Sequence, residues 1–313
     1  MSSHLLDHLC RYNLLSECQY GSRPYHCCET ILLSLTDRDK WLESMDNGNL
    51  TGLFLINLRK AFDLITYEIL TKKLACYGVE GNVLQWFSSF LKDRKQRISI
   101  GSSLSDVLPM LNGVSQGSCL GPLLFFLYVN DIPFGNSSTS THLYVDDTTL
   151  PYHSPSVTQL NINLQRGANA LSFWATSNKM LIHPQKSKFM ILGSQLKLEG
   201  TEEYLNVKIS GKTVEQSHCE KVLGVYLDSS LTWSDHVFKS IKKFNSKLEL
   251  IRRAKPYLSP NHTLLLHNSI AKPTIEYCCL VWGNCSSELL QQVLLAQNVQ
   301  HDSSLVPTPL VVL

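Results

Sequence analysis

The sequence predicts an α+β fold that gives way to a helical region. Three observations carry this expectation. Leu53-Phe54-Leu55-Ile56, His142-Leu143-Tyr144-Val145 and residues 189–192 are short apolar or alternating runs of strand length. Between them apolar residues recur at helical spacing, over the longest stretch at about residues 156–178. After Trp233 only the helical pattern remains, with Val237, Ile241, Phe244, Leu248 and Ile251 stepping by four and three.

A chain of 313 residues allows about two domains and a core that needs no disulfide or metal to hold it. Hydrophobic residues at 43% and charged residues at 17% exclude a disordered chain. With 28 basic and 26 acidic side chains the formal charge is only +2, so any nucleic-acid contact must come from local clustering. The longest apolar run, residues 120–129, contains Gly121 and Pro122 and is too short to span a bilayer. MSSHLLDHLC lacks the basic start and apolar stretch of a signal peptide, so the expectation is a soluble intracellular chain with no membrane partner. The ten cysteines form no CxxC pair and no zinc-finger spacing, and read as free thiols.

In chain order, residues 1 to about 50 read as helix, loop, helix. Leu5, Leu6 and Leu9 share a face, Tyr20-Gly21-Ser22-Arg23-Pro24 interrupts, and a second helix runs through Ile31, Leu32, Leu35 and Trp41 to Asp46-Asn47-Gly48. The run at residues 53–56 reads as a fully buried strand. Helical spacing covers residues 67–91 with a break at 77–81, and an exposed basic stretch, Lys92-Asp93-Arg94-Lys95-Gln96-Arg97, follows. Residues 98–108 alternate like a strand, and a glycine-flanked loop at 113–118 leads into an apolar helix over 120–130. Residues 142–150 form a hairpin with Asp146 and Asp147 at its tip. Strands at 189–192 and around 222–227 complete the α+β part, with a soft boundary near residue 229.

Two adjacent carboxylates reach one metal site only at a turn, and their repulsion is relieved by a hard divalent cation such as Mg²⁺. Taken alone, the pair reads as solvated turn residues rather than as a metal site. The ordered set FLINLRKAFD, GVSQGSCLGPLLFFLYVNDIP, LYVDDTTL, NKMLIHPQKSKFMILG and KVLGVYLDSSLTWSDH resembles reverse transcriptases of non-LTR (LINE-type) retrotransposons, from about residue 14 to 298. The resemblance implies a right-hand polymerase: an α+β palm with a small antiparallel sheet, helical fingers and a helical thumb. Fingers and palm would occupy 1–228 and the thumb 229–313. It implies RNA-templated extension of a DNA primer with deoxynucleoside triphosphates and two Mg²⁺ ions.

On this resemblance Asp146 is the principal metal ligand, Asp147 assists, and Lys186 protonates the departing pyrophosphate. Phe62 lies beneath the sugar, Gln116 and Gly117 touch nucleotide and template, and Arg23 grips the template. Lys239, Lys242 and Lys243 would line the opposite side of the thumb helix from its apolar stripe and contact phosphates. Without the resemblance, Phe62 reads as core and the cations as solvated charges. The family's first motif opens with an aspartate that ligates both metals, and Asn57 stands there instead. A site expected to bring three negative charges brings two, so transition-state stabilisation falls. Ser115, Ser22 and His183 replace the family's proline, aromatic residue and asparagine. The expectation is a truncated copy with impaired polymerase activity; the alternative is an inactive remnant that at most binds nucleic acid.

Overall fold

The computed structural model describes residues 1–302 apart from 22, 24, 39–40, 116, 136–140 and 200–204, and no side chain at 37–38 or 298–302. The chain forms two compact units, one of Met1–Ile31 with Asp39–Ser217, the other of Leu32–Arg38 with the residues from His218 onward.

The first unit is organised by one strand, β1 (Leu50–Arg59), longer than its apolar centre suggests. It runs through the middle of a six-stranded sheet and its residues 50–54 are all buried, which is why its centre reads as an unbroken apolar run. Helix α1 (Gly121–Val129) buries every residue but Pro122 and lacks a polar face because it is enclosed on all sides. Strands β2 (His142–Tyr144) and β3 (Asp147–Ser154) form the hairpin. Helix α2 (Val157–Ser177) packs on β1 and β3, its first turn capped by Ser156, whose hydroxyl accepts from the Gln159 N–H.

Strands β4 (Leu181–Ile182) and β5 (Lys188–Leu192) pair antiparallel with the two ends of β1. The sheet departs from the expected small antiparallel one at its edge, where β6 (Glu215–Gln216) pairs parallel with β5. Two helices, Tyr67–Cys76 and Gly81–Leu91, break between residues 76 and 81 as the sequence indicates. Residues 98–108 do not form one strand. They fold back at Gly101, whose φ of 59° suits a tight turn, so that Ser99–Ile100 pairs with Ser103–Leu104 and Lys95–Gln96 with Leu108–Pro109.

In the second unit, residues 222–227 are a hairpin rather than a strand of the main sheet. Strands β7 (Cys219–Val222) and β8 (Val225–Asp228) turn at Gly224, whose φ of 92° excludes most side chains. The carboxylate of Asp228 accepts from the N–H groups of Ser230, Thr232 and Trp233 and fixes the entry to α3 (Ser234–Ala254). Helix α3 buries His236, Val237, Phe244, Leu248 and Ile251. Further helices include Pro260–Leu266, Lys272–Glu276 and Ser287–Asp302. No helix among the described residues is long and apolar enough to cross a membrane.

Candidate active site

The register of the sheet builds the site. Tyr144 pairs with Asp147 across the hairpin, which leaves Val145 and Asp146 as its two turn residues. Asn57, near the end of β1, pairs with Asp147 on the adjacent strand. Directly opposed residues of antiparallel strands project from the same face. The fold thus brings Asn57, Asp147 and the turn residue Asp146 to one end of the sheet, although Asn57 lies far from both in sequence.

The hairpin turn is strained. Val145 has φ of 59°, a conformation that favours glycine and disfavours a β-branched residue. The segment before Arg23 holds it there. Leu143 donates its N–H to the Cys18 carbonyl at 2.8 Å and accepts from the Tyr20 N–H at 2.9 Å, so residues 18–20 run alongside β2. Gly21 then passes over the turn so closely that a Cβ there would lie 2.7 Å from both the nitrogen and a methyl of Val145. The Tyr144 hydroxyl bonds to the Cys28 thiol, and this contact, with burial, pushes the phenol up to about 12.

Asp147 is exposed as a whole, but loss of water around its carboxyl raises it above the ordinary carboxylate range, and the Asp146 charge adds to the rise. Neither aspartate meets a lysine or arginine in an ion pair among the described residues. An uncompensated carboxylate pair with a neutral amide oxygen opposite fits a hard divalent cation. Among the described residues no three His, Cys, Asp or Glu side chains converge, and Asn57 sets an amide rather than a third carboxylate beside the pair.

Asn57 is itself fixed through its backbone. Its N–H donates to the Ser187 hydroxyl at 3.1 Å, and its carbonyl accepts from the His183 N–H at 2.8 Å. Ser187 is fully buried and was not singled out in the sequence: a lone serine between lysines carries no pattern that reveals a partner on another strand. Lys186 is exposed in the same turn, where its N–H donates to the His183 carbonyl at 3.1 Å.

Phe62 is half-buried and its ring stacks on Phe125 with centroids 4.6 Å apart. Its carbonyl accepts from the Val114 N–H at 2.9 Å, which ties the end of the first motif to the start of the glycine-flanked loop. Gly113, at φ of 90°, makes this approach possible, since a Cβ there would meet the Asp63 carbonyl oxygen at 2.9 Å. Gly117 is exposed with φ of 82°, and Gln116 lies outside the described residues. Arg23 is half-buried and donates to the Ser16 carbonyl at 3.2 Å. In the second unit the three lysines of α3 lie on the side away from its buried Val237, Phe244, Leu248 and Ile251. Lys239 and Lys243 border one hollow, while Lys242 borders an apolar groove with Phe238 and Leu295.

A central strand flanked by a two-carboxylate hairpin, with helices packed on the sheet, defines an α+β polymerase fold. The telomerase of Candida albicans in complex with a TWJ fragment of telomeric RNA aligns with TM-score 0.52 over 97% of this chain and 56% of its own, at 13% identity. The apo telomerase of Candida tropicalis aligns with TM-score 0.51 over 96% of this chain and 50% of its own, at 12% identity. Residues 1–227 match the profile of the family described as Reverse transcriptase (RNA-dependent DNA polymerase), and the chain belongs to that family.

Its relatives are polymerases of non-LTR mobile elements. The probable RNA-directed DNA polymerase from transposon X-element of Drosophila melanogaster is 27% identical over 293 residues, 90% of this chain and 31% of that protein. The RNA-directed DNA polymerase from mobile element jockey of the same organism is 25% identical over 270 residues, 82% of this chain and 28% of that protein. The chain therefore spans about a third of the length of the curated relatives it matches.

Proposed function

We propose that the chain carries the reverse-transcriptase core of an RNA-directed DNA polymerase, with its chemistry weakened by Asn57. The observation that carries this reading is the register that sets Asn57 opposite Asp147 beside the Asp146 turn. Two bound Mg²⁺ ions would supply charge neutralisation and activation of the primer hydroxyl. Asp146 and Asp147 hold that charge at the end of the sheet, and the amide oxygen of Asn57 orients without adding charge. Phe62, braced by Phe125, limits the room beneath the sugar. Gly117 and Gln116 contact nucleotide and template as the resemblance implies, Arg23 approaches the template, and Lys186 delivers a proton to the departing pyrophosphate.

On this reading residues 1–228 correspond to fingers and palm, and residues 229–313 to the thumb. The thumb lays Lys239, Lys242 and Lys243 against the phosphates of an RNA template and DNA primer. Asn57 also favours a second reading, a chain that binds nucleic acid without extending it.

Primer extension on an RNA template with Mg²⁺ separates the two. The wild type is compared with Asn57→Asp and with a doubly neutralised Asp146→Asn, Asp147→Asn variant. Weak extension by the wild type, a gain of about a hundredfold in Asn57→Asp and silence in the double variant are expected. Silence from Asn57→Asp, with template–primer binding intact, would sink the polymerase reading and leave the binding one.

A further inference from the structure

The second unit contains a hollow of about 410 Å³ between the β7–β8 hairpin, α3 and residues 269–277. Four lysines line it: Lys221 from β7 and Lys239, Lys243 and Lys247 from α3, and no carboxylate lies among the lining residues. Such a wall repels cations and gathers negative charge.

Three of the four ammonium groups are held in place by the fold. Lys239 sits 3.9 Å above the ring of Tyr226, and Lys221 lies 5.8 Å from the same ring. Lys247 donates to the Ile270 carbonyl at 2.8 Å and to the Thr274 hydroxyl at 2.6 Å, which still leaves one proton. Asp235, one turn back on α3, approaches Lys239 at 3.4 Å from outside the lining. Lys243 is exposed and has no ion pair among the described residues.

The hydroxyl of Ser240 adds a donor. The Tyr226 N–H donates to Nδ1 of His236 at 3.3 Å, so the ring's proton lies on Nε2, directed at the Ser240 oxygen 3.5 Å away. Ser240 then accepts from the ring and keeps its own proton for a ligand. The opposite wall is shaped by Gly224, where a Cβ would meet the Tyr277 ring at 2.8 Å.

We infer that this hollow is a binding site for a compact di- or triphosphate group. Several convergent ammonium groups suit an anion whose charges are close together, because each charge-assisted hydrogen bond then has its own oxygen. A single phosphate of a strand backbone meets fewer of them. The inference does not rest on the polymerase reading and uses none of the residues at the tip of the β2–β3 hairpin. The group could be a free polyphosphate or the 5′-polyphosphorylated end of a strand.

The test is calorimetric titration of inorganic pyrophosphate into the full chain in metal-free buffer. Saturable binding is expected, weakened roughly tenfold by Lys243→Ala and lost in Lys221→Ala, Lys243→Ala. It should be unchanged in Arg253→Ala, which removes an exposed charge of α3 outside the hollow, and in the Asp146→Asn, Asp147→Asn variant. Orthophosphate should bind markedly more weakly. Displacement of pyrophosphate by 5′-triphosphorylated RNA but not by 5′-hydroxyl RNA assigns the site to a strand end; displacement by neither assigns it to a free polyphosphate. No saturable binding, an equal loss in Arg253→Ala, or equal displacement by 5′-hydroxyl RNA would each overturn the proposal.

Discussion

His236 is only 4% exposed, with its ring 5.6 Å from that of Trp282 and its Nδ1 occupied by a backbone donor. Burial drives its pKa down to about 4 from the usual 6.5. A histidine depressed in the folded state stabilises the fold fully above the unfolded value, and that stability is lost as pH falls from 6.5 through the folded value. Between pH 7.5 and 5 the wild type should lose about 2 kcal/mol from this group. His236→Gln, which keeps an acceptor for the Tyr226 N–H but cannot titrate, should lose less over the same window in chemical denaturation. Parallel losses in the two proteins would show that another group governs the acid limb. Such residue-scale features differ in how far the sequence reveals them. Asp146, Asp147 and Asn57 are legible because each sits in a motif with a chemical reason for its composition. The buried Ser187 hydroxyl and the neutral His236 are not, because their roles come from partners supplied by folding.

Helix α2 lies close to the sheet at two glycines, and this closeness has a measurable consequence. Gly52 on β1 leaves room for Leu160, since a Cβ there would come within 2.9 Å of a methyl of that leucine. Gly167 on the helix faces Tyr152 of β3, and a Cβ there would lie 1.9 Å from the hydroxyl oxygen and 2.8 Å from the ring carbon that bears it. In an exposed helix Gly→Ala gains about 1 kcal/mol. Here Tyr152 is 3% exposed and the ring cannot swing into solvent, so overpacking of roughly 1–3 kcal/mol opposes that gain. Gly167→Ala should therefore destabilise the first unit, and the double variant with Tyr152→Phe should recover part of the loss because the hydroxyl is the nearest atom. A stabilised Gly167→Ala in thermal melts would show that helix and sheet can separate freely. At this scale periodicity identified α2, which buries one face, and the hairpin, although residues 148–152 of β3 are buried on both faces. It failed at residues 98–108 and 222–227, where an alternating run and an apolar run each continue through a turn and only Gly101 and Gly224 mark the reversal.

At the scale of the whole molecule, the α+β polymerase fold was legible because five motifs occur in order, whereas the parallel edge strand β6 was not, being two residues with no pattern of their own. Charge is the property that only the whole chain defines, and its near balance of +2 makes a sharp demand on nucleic-acid binding. Affinity has to come from a local patch, and each phosphate neutralised by that patch steepens the dependence of log affinity on log salt by about 0.9 for a duplex. Three lysines acting alike would give a slope of about −3. They are not alike. Lys242 and Lys243 are exposed and carry no ion pair among the described residues, whereas Lys239 is half-buried over Tyr226 and has Asp235 at 3.4 Å as a counterion. A lysine already neutralised by a carboxylate releases fewer ions when a phosphate arrives. Lys242→Ala and Lys243→Ala should each flatten the slope by about one, and Lys239→Ala by distinctly less. The measurement is template–primer affinity between low and moderate salt for the wild type and the three variants. A flat wild-type dependence would remove α3 from the nucleic-acid interface, and three equal decrements would mean that Asp235 yields Lys239 to the phosphate on binding.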